Sequence, residues 1–452
     1  MSHNEHWRER DLNCIWHPCT QMQDHEQNIP LIPIRRAEGV WLEDFDGKRY
    51  LDAMSSWWVN LFGHCHPRIS EAIAAQASSL EQVIFAGFSH QPAVELAERL
   101  VDLAPPGLQR VFFADNGSSA VEVALKLSFH YWYNQGQTRR TRYVALSNSY
   151  HGETLGALAV SDVGLYRDIY RPLLLQPIVA PAPDCVGQHR SQWAACSAAA
   201  ADQLDQLLAE RKDEICAVIL EPLVQCAGGM RMYDAEYLRR VRAACDRHHI
   251  HFIADEIAVG FGRTGSLFAC EQAMVSPDLM CLSKGITGGS LPLATVLMNE
   301  AIYQAFYEDY NRGRSFLHSH SYSGNPIACA AALATLDLFE ETPVLENNQR
   351  TAAHLAGRAA AFSAHPQVGD VRQTGMVLAI EIMADPATRE PYPWQERRGI
   401  RAYRHALSRG VLMRPLGNVL YCMPPYVIND EEVDLLMDVM AECVEVATGV
   451  PW

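Results

Sequence analysis

Residues 251–289 read HFIADEIAVGFGRTGSLFACEQAMVSPDLMCLSKGITGG, and the two halves of this stretch set the fold. Phe252, Ile253 and Ala254 are an apolar run of the kind that forms a buried strand, and the run ends on Asp255. Side chains alternate across a strand, so Asp255 and Ile257 point one way and Glu256 the other. A second short apolar run, Leu279 to Leu282, delivers Ser283-Lys284 into a glycine-rich loop at Gly285, Gly288 and Gly289. An acid at one strand end and a lysine at the next is what a pyridoxal phosphate site needs. The lysine supplies the covalent link to the cofactor, and the acid keeps the ring nitrogen protonated so that the ring accepts electrons. Ile257 then packs against the ring face. By themselves the two residues fit better a buried acid capping a turn beside an unrelated surface lysine.

Working outward, residues 90 to 340 alternate apolar strand runs with helical patterns, which predicts an α/β domain on a mostly parallel sheet. Val111-Phe112-Phe113 leads into Asp115-Asn116-Gly117-Ser118-Ser119, and then into a helix with apolar residues at Val121, Ala124, Leu125, Tyr131 and Trp132. A Gly-Ser-Ser turn opening a helix offers free N–H groups, hydroxyls and the positive end of the dipole to an anion. Such turns also cap helices with no ligand at all. Tyr143 to Leu146 precedes Tyr150-His151-Gly152-Glu153, which places an aromatic at a strand's carboxyl end, where open α/β sheets bind ligands. Ile215 to Leu220 ends on Glu221-Pro222, and Leu293 to Met298 follows the lysine. Asn325 as cap and Pro326 as first helical residue start a helix to about Glu340. The alanine-rich segment 191–205 reads as a surface helix.

The flanks are a different kind of sequence. Trp16-His17-Pro18-Cys19-Thr20 is extended, and Gly39 to Leu51 is a hairpin turning at Asp46-Gly47. Trp57 and Trp58 in Ser55-Ser56-Trp57-Trp58 are core anchors or the wall of a pocket, with core the stronger reading. From about 341, helical segments at 347–364 and 395–409 alternate with strands at 376–382, 411–413 and 419–423. A last helix is capped by Asn429, with Glu432 three residues on. Arg414 lies between two of these strands, either solvated or holding a carboxylate in its planar fork. The expected organisation is an N-terminal segment (1–55) belonging to a small domain, a large cofactor-binding domain (56–340) and a C-terminal small α+β domain (341–452).

In the 452 residues, 37 lysines and arginines against 53 acids leave a net charge of −16, which argues against a nucleic-acid or anionic-membrane partner. The basic run at 138–142 is too short to alter that. No apolar stretch approaches the roughly 20 residues that span a bilayer, and the N-terminus lacks an apolar leader core, so a cytoplasmic protein is expected. The 13 cysteines are odd in number and unpaired in spacing, which predicts reduced thiols. His64-Cys65-His66 and His248-His249-Ile250-His251 lack zinc-ligand spacing, so no metal is expected.

Asp-Glu-Ile-x-x-Gly-Phe-Gly-Arg-Thr-Gly at 255–265, followed by Ser-Lys-Gly at 283–285, resembles the fold-type I, class III (omega) aminotransferases. Within the class, the biotin-pathway branch is resembled by six further motifs. These are Trp-His-Pro-Cys-Thr (16–20), Met-Ser-Ser-Trp-Trp (54–58), Asn-Gly-Ser-Ser-Ala-Val-Glu-Val-Ala (116–124), Tyr-His-Gly-Glu-Thr (150–154), Gly-Gly-Met-Arg-Met-Tyr (228–233) and Arg-Pro-Leu-Gly…Tyr-Cys-Met-Pro-Pro-Tyr (414–426). The resemblance implies a seven-stranded large domain, a homodimer with shared sites, 8-amino-7-oxononanoate as acceptor and S-adenosylmethionine as amino donor.

It further implies that Lys284 carries pyridoxal phosphate and shuttles the proton, while Asp255 pairs with the ring nitrogen. Ile257 and Tyr150 would cover the two ring faces, Tyr150 also standing among the catalytic groups. Gly117 and Ser118 would hold the phosphate, with His320 and Ser321 reaching it from the partner subunit. Trp57, Trp58, Tyr150, Lys284, Ser319 and Cys19 would line the substrate pocket, and Arg414 would take the distal carboxylate. Two departures stand out. Cys19 occupies a position where many relatives have tyrosine, and Ser319-His320-Ser321 replaces a common Gly-Pro-Thr; both bear on the donor.

Overall fold

The computed structural model describes residues 2–452. They divide into two compact units, residues 67–346 and the paired chain ends, 2–66 with 347–452.

The unit 67–346 is built on a seven-stranded sheet. In chain order its strands are β1 Leu108–Ala114, β2 Arg142–Leu146, β3 Ile178–Ala180, β4 Ile215–Leu220, β5 His251–Asp255, β6 Leu279–Leu282 and β7 Ala294–Asn299. They lie side by side as β1-β7-β6-β5-β4-β2-β3. β2 to β6 are parallel, and only β7 runs against its neighbours, β6 and β1. Every residue of β4, β5 and β6 is buried, as parallel strands covered on both faces require; their near-continuous apolar runs are that requirement written in sequence. Helix Gly117–Asn134 packs on the sheet through Val121, Ala124 and Leu125, in one core with Ile219, Ile253 and Val296. The alanine-rich segment is helix Trp193–Arg211, and it is not a plain surface helix: Trp193, Ser197, Ala200, Ala201, Leu204 and Leu208 are buried, small residues letting helix Ala235–His248 come close. Asn325 caps helix Pro326–Glu341 by accepting the Ala328 N–H at 3.0 Å.

The unit of the chain ends holds two sheets. In one, strands Trp41–Asp44 and Arg49–Asp52 form the hairpin, with Ile34–Glu38 on one side and Val411–Leu412 parallel on the other. In the other, Val368–Thr374, Val377–Asp385 and Val419–Cys422 pair antiparallel. Helices Arg398–Ser408 and Asp430–Thr448 pack together, and the second opens on the capping box of Asn429 and Glu432. No helix among the described residues is long and apolar enough to cross a membrane.

Candidate active site

The groups singled out in the unit 67–346 meet at one edge of the sheet because they follow the carboxyl ends of its strands: Asp115 to Ser118 after β1, Tyr150 and His151 after β2, Glu221 after β4, Asp255 ending β5 and Lys284 after β6. Open α/β sheets bind ligands along this edge. There the chain leaves the hydrogen-bonded ladder and its side chains are free to converge.

Asp255 is the fixed point. Its Oδ2 lies 2.6 Å from Nδ1 of His151, and its Oδ1 accepts the Ile257 N–H at 3.1 Å. Both side chains are buried, so the carboxylate is held by a donor that water cannot displace. The carboxylate only accepts, which places the His151 proton on Nδ1. Nε2 of His151 is buried and has no partner. The His151 N–H donates to Ser161 Oγ at 2.9 Å, and Ser161 Oγ donates to the Ala157 carbonyl at 2.9 Å.

Behind this pair stands a second buried carboxyl. Glu221 accepts the N–H groups of Tyr150 at 3.0 Å and Cys226 at 2.9 Å. Burial pushes it up to about 7, opposed by His151 and reinforced by Asp255. Glu256 points away from Asp255, as strand alternation predicts, and accepts the N–H groups of Ala269 and Cys270 at 2.8 Å each; burial raises it to about 7 as well.

Lys284 opens a turn with a backbone φ of 48°, left-handed for a residue with a Cβ. Its surroundings strip water from the ammonium and push it below the ordinary lysine value, against the pull of Asp255, Cys226 and Glu221. A depressed lysine holds its neutral, nucleophilic form more readily.

The anion end is a cradle with no room to spare. Asn116 caps helix Gly117–Asn134 through the Ser119 N–H at 3.1 Å. A Cβ at Gly117 would come 3.0 Å from Ile257 Cγ2, and one at Gly152, where φ is 123°, would strike Ser118 Oγ at 2.0 Å. Ile257 is buried against that glycine. Tyr150 donates its hydroxyl to Glu153 at 2.9 Å, and its ring stands 5.4 Å from Tyr166. Acid, lysine, apolar face and helix N-terminus together fit pyridoxal phosphate.

Ser319, His320 and Ser321 lie in the segment before the Asn325 cap. Ser319 and Ser321 are exposed, and His320 Nδ1 stands 3.9 Å from Asp115 Oδ2.

The remaining candidates belong to the unit of the chain ends. Trp57 and Trp58 part company: Trp58 is 4 % exposed and donates its indole N–H to Tyr421 Oη at 3.0 Å, while Trp57 is 40 % exposed. The guanidinium of Arg414 sits 5.1 Å from the Trp57 ring centroid and donates to the Cys19 carbonyl at 3.0 Å. Trp57 and Arg414 line a cavity of about 280 Å³ with His17, Pro18, Thr20 and Tyr403. The core reading therefore holds for Trp58 and fails for Trp57, whose backbone turn carries its ring outward.

His151 and Glu221 were given no role by the sequence. The available signal was position, since each follows the end of an apolar run, as Asp255 and Lys284 do.

Comparison with known proteins agrees with this geometry. Residues 22–444 match the family model of class-III aminotransferases. The adenosylmethionine-8-amino-7-oxononanoate aminotransferase of Geobacter sulfurreducens is 44% identical over 444 residues, 98% of each chain. The enzyme of the same name from Helicobacter pylori is 46% identical over 438 residues, 96% of each chain. The crystal structure of that aminotransferase from Methanocaldococcus jannaschii superposes with a TM-score of 0.92 at 36% identity, covering 98% of this chain and 99% of the other. The omega transaminase of Pseudomonas jessenii in complex with PMP gives a TM-score of 0.92 at 27% identity, covering 98% of each chain.

Fold and site thus define a pyridoxal-phosphate-dependent transferase. Within that group, the chain belongs to the class-III aminotransferase family.

Proposed function

We propose that this aminotransferase aminates 8-amino-7-oxononanoate to 7,8-diaminononanoate in biotin biosynthesis, with S-adenosylmethionine as donor. The observation that carries the reading is the near-full-length identity to relatives of that name. Arg414 over Trp57 agrees with it: a guanidinium beside an apolar cavity suits a substrate with a carboxylate at one end and methylenes behind it.

Bound pyridoxal phosphate supplies the electron sink for the reaction. Lys284 would anchor it, and its neutral amino group would take the proton from the substrate carbon and return it. The Asp255 carboxylate would hold a proton at the cofactor's ring nitrogen, and His151 aims that carboxylate. Gly117 and Ser118 bind the phosphate, Ile257 and Tyr150 cover the ring faces, and Arg414 grips the acceptor's carboxylate. Cys19 holds Arg414 through its carbonyl, and Trp58 stays in the core behind the turn.

The working form is a homodimer in which His320 and Ser321 of one protomer serve the phosphate of the other. Leu165, Ile169, Leu173 and Leu175, each at least two-thirds exposed, are the apolar surface a second subunit would cover. The paired chain ends form the small domain and the unit 67–346 the large one, and the enzyme acts in the cytoplasm.

A second reading, another class-III amine or lysine as donor, is favoured by Cys19 alone. Assaying the holoenzyme with 8-amino-7-oxononanoate against a donor panel tests both. Turnover with S-adenosylmethionine supports the first; turnover with lysine only makes Cys19 the mark of a donor switch; no amination of the keto acid overturns the assignment.

A further inference from the structure

Four consecutive residues other than glycine, Ser55 to Trp58, have φ of 52°, 46°, 73° and 71°. Left-handed backbone in L-residues normally occurs singly, at glycine, asparagine or aspartate. Nothing in Ser-Ser-Trp-Trp favours it, so the conformation is imposed by what surrounds the turn.

Asp52 is the group that imposes it. Its carboxylate is fully buried. Oδ1 accepts the N–H groups of Ser56 at 3.0 Å and Met54 at 3.3 Å. Oδ2 accepts the Ser56 hydroxyl at 2.7 Å and Nε2 of His64 at 2.9 Å. His64 Nδ1 accepts the Asn60 side-chain amide at 3.3 Å, which leaves the ring proton on Nε2, facing Asp52. The carboxylate therefore has four donors, two of them on the middle of the turn and one reaching in from beyond it. The turn's inner side is tied as well: Ser55 Oγ donates to the Met423 carbonyl at 2.7 Å and the Trp58 indole to Tyr421. What is left facing outward is Trp57, with Arg414 against its ring.

We propose, building on the keto-acid reading above, that Asp52 and His64 are positioning residues for the amino-group acceptor. They hold the left-handed turn, the turn sets the Trp57 ring as the wall for the acceptor's methylene chain, and that ring fixes the guanidinium that takes the carboxylate. Neither residue touches the reacting atoms. Their removal changes where the acceptor sits and leaves the chemistry at Lys284 alone.

The test uses holoenzymes carrying Asp52→Asn, His64→Leu and His64→Gln. Hydrogen–deuterium exchange of amides 54–60 reads the turn without any substrate, and Asp52→Asn should speed it about tenfold or more while the rest of the chain is unchanged. In steady state the KM for 8-amino-7-oxononanoate should rise about tenfold, the scale of a lost hydrogen bond to a charged group, with kcat and the donor half-reaction within about twofold. His64→Leu should move both readouts the same way, and His64→Gln, which keeps a donor for Asp52, should stay near the parent. Adding Ser56→Gly to Asp52→Asn should recover roughly threefold of the KM, because glycine accepts positive φ without a Cβ clash. Unchanged exchange and KM in Asp52→Asn would overturn the proposal, as would faster exchange with an unchanged KM, or equal damage to KM and to the donor half-reaction. If Asp52→Asn does not fold, the contrast between His64→Leu and His64→Gln decides. A parent enzyme inactive on the keto acid would overturn the acceptor reading itself, and exchange would still decide whether Asp52 holds the turn.

Discussion

Asp255 and Lys284 sit at the ends of adjacent central strands, inside one short stretch of chain, with each carboxyl and amine aimed by a fully buried ladder. Trp57 and Arg414 come from opposite ends of the chain and meet through a strained turn, a cation–π contact and a hydrogen bond to Cys19. The first pair is positioned by the ends of regular strands, with one left-handed residue, Lys284 itself at φ 48°, completing it. The second is positioned by side-chain hydrogen bonds that must outweigh roughly 1–2 kcal/mol of left-handed strain per residue. On the proposed reading, chemistry common to a whole class sits at the strand ends, and recognition of one substrate at the strained turn.

The largest effect should come from breaking the regular side. Lys284→Ala should still take up pyridoxal phosphate through the phosphate cradle but lose turnover by about 10⁵- to 10⁶-fold, the scale for removing a catalytic nucleophile or base. Borohydride labelling with peptide mapping checks it; label found on another residue would contradict the assignment.

Asp255→Asn should lower kcat on the order of 10⁴-fold, as when a buried carboxylate partner is neutralised elsewhere. Its support is separable. His151→Leu should cost about 10- to 100-fold, the usual range for a residue that orients a functional group, in both half-reactions alike, read by stopped-flow absorbance of each.

On the irregular side the damage should be smaller and one-sided. Arg414→Ala removes a charge-assisted contact of about 1.5–3 kcal/mol, roughly 10- to 150-fold in affinity. Amination of the keto acid should weaken by that factor, while the half-reaction with S-adenosylmethionine stays within about twofold. Equal loss in both would make Arg414 structural and erase the contrast.

The smallest effect concerns pH. Glu256 is raised by burial from 4.5 to about 7 in the folded protein. A raised carboxyl binds its proton more tightly folded than unfolded, so its contribution is present below about pH 4.5 and lost as pH rises to about 7. Glu256→Gln cannot ionise, so its melting temperature relative to the parent should rise across that window, by about a few degrees. A flat difference from pH 5 to 8 would show that Glu256 is already ionised when folded.

The cofactor half of the site was legible because each piece is local. A buried parallel strand must be apolar along its length, so its end is visible, and the residue there is delivered to one edge of the sheet. Asp255, Lys284, Gly117 and Tyr150 all follow such strand ends, and the resemblance to the class III aminotransferases turns those positions into roles. The same rule could have nominated His151 and Glu221, but it does not say that a histidine two strands away will turn its Nδ1 to Asp255.

Sequence by itself determined six of the seven strands of the unit 67–346, without Ile178–Ala180, the caps at Asn325 and Asn429, and the chemical types at the carboxyl edge of the sheet. These follow from periodicity and capping, which act over a few residues. Tertiary structure alone decided which tryptophan is buried, that Arg414 lies over Trp57, and that Ser55 to Trp58 run left-handed. The first two depend on groups far apart in the chain, Trp58 with Tyr421 and Arg414 with Cys19; the turn depends on Asp52, which takes Met54 and Ser56 nearby and His64 from beyond the turn. A left-handed turn without glycine has no local signature, because its energy comes from the partners that hold it.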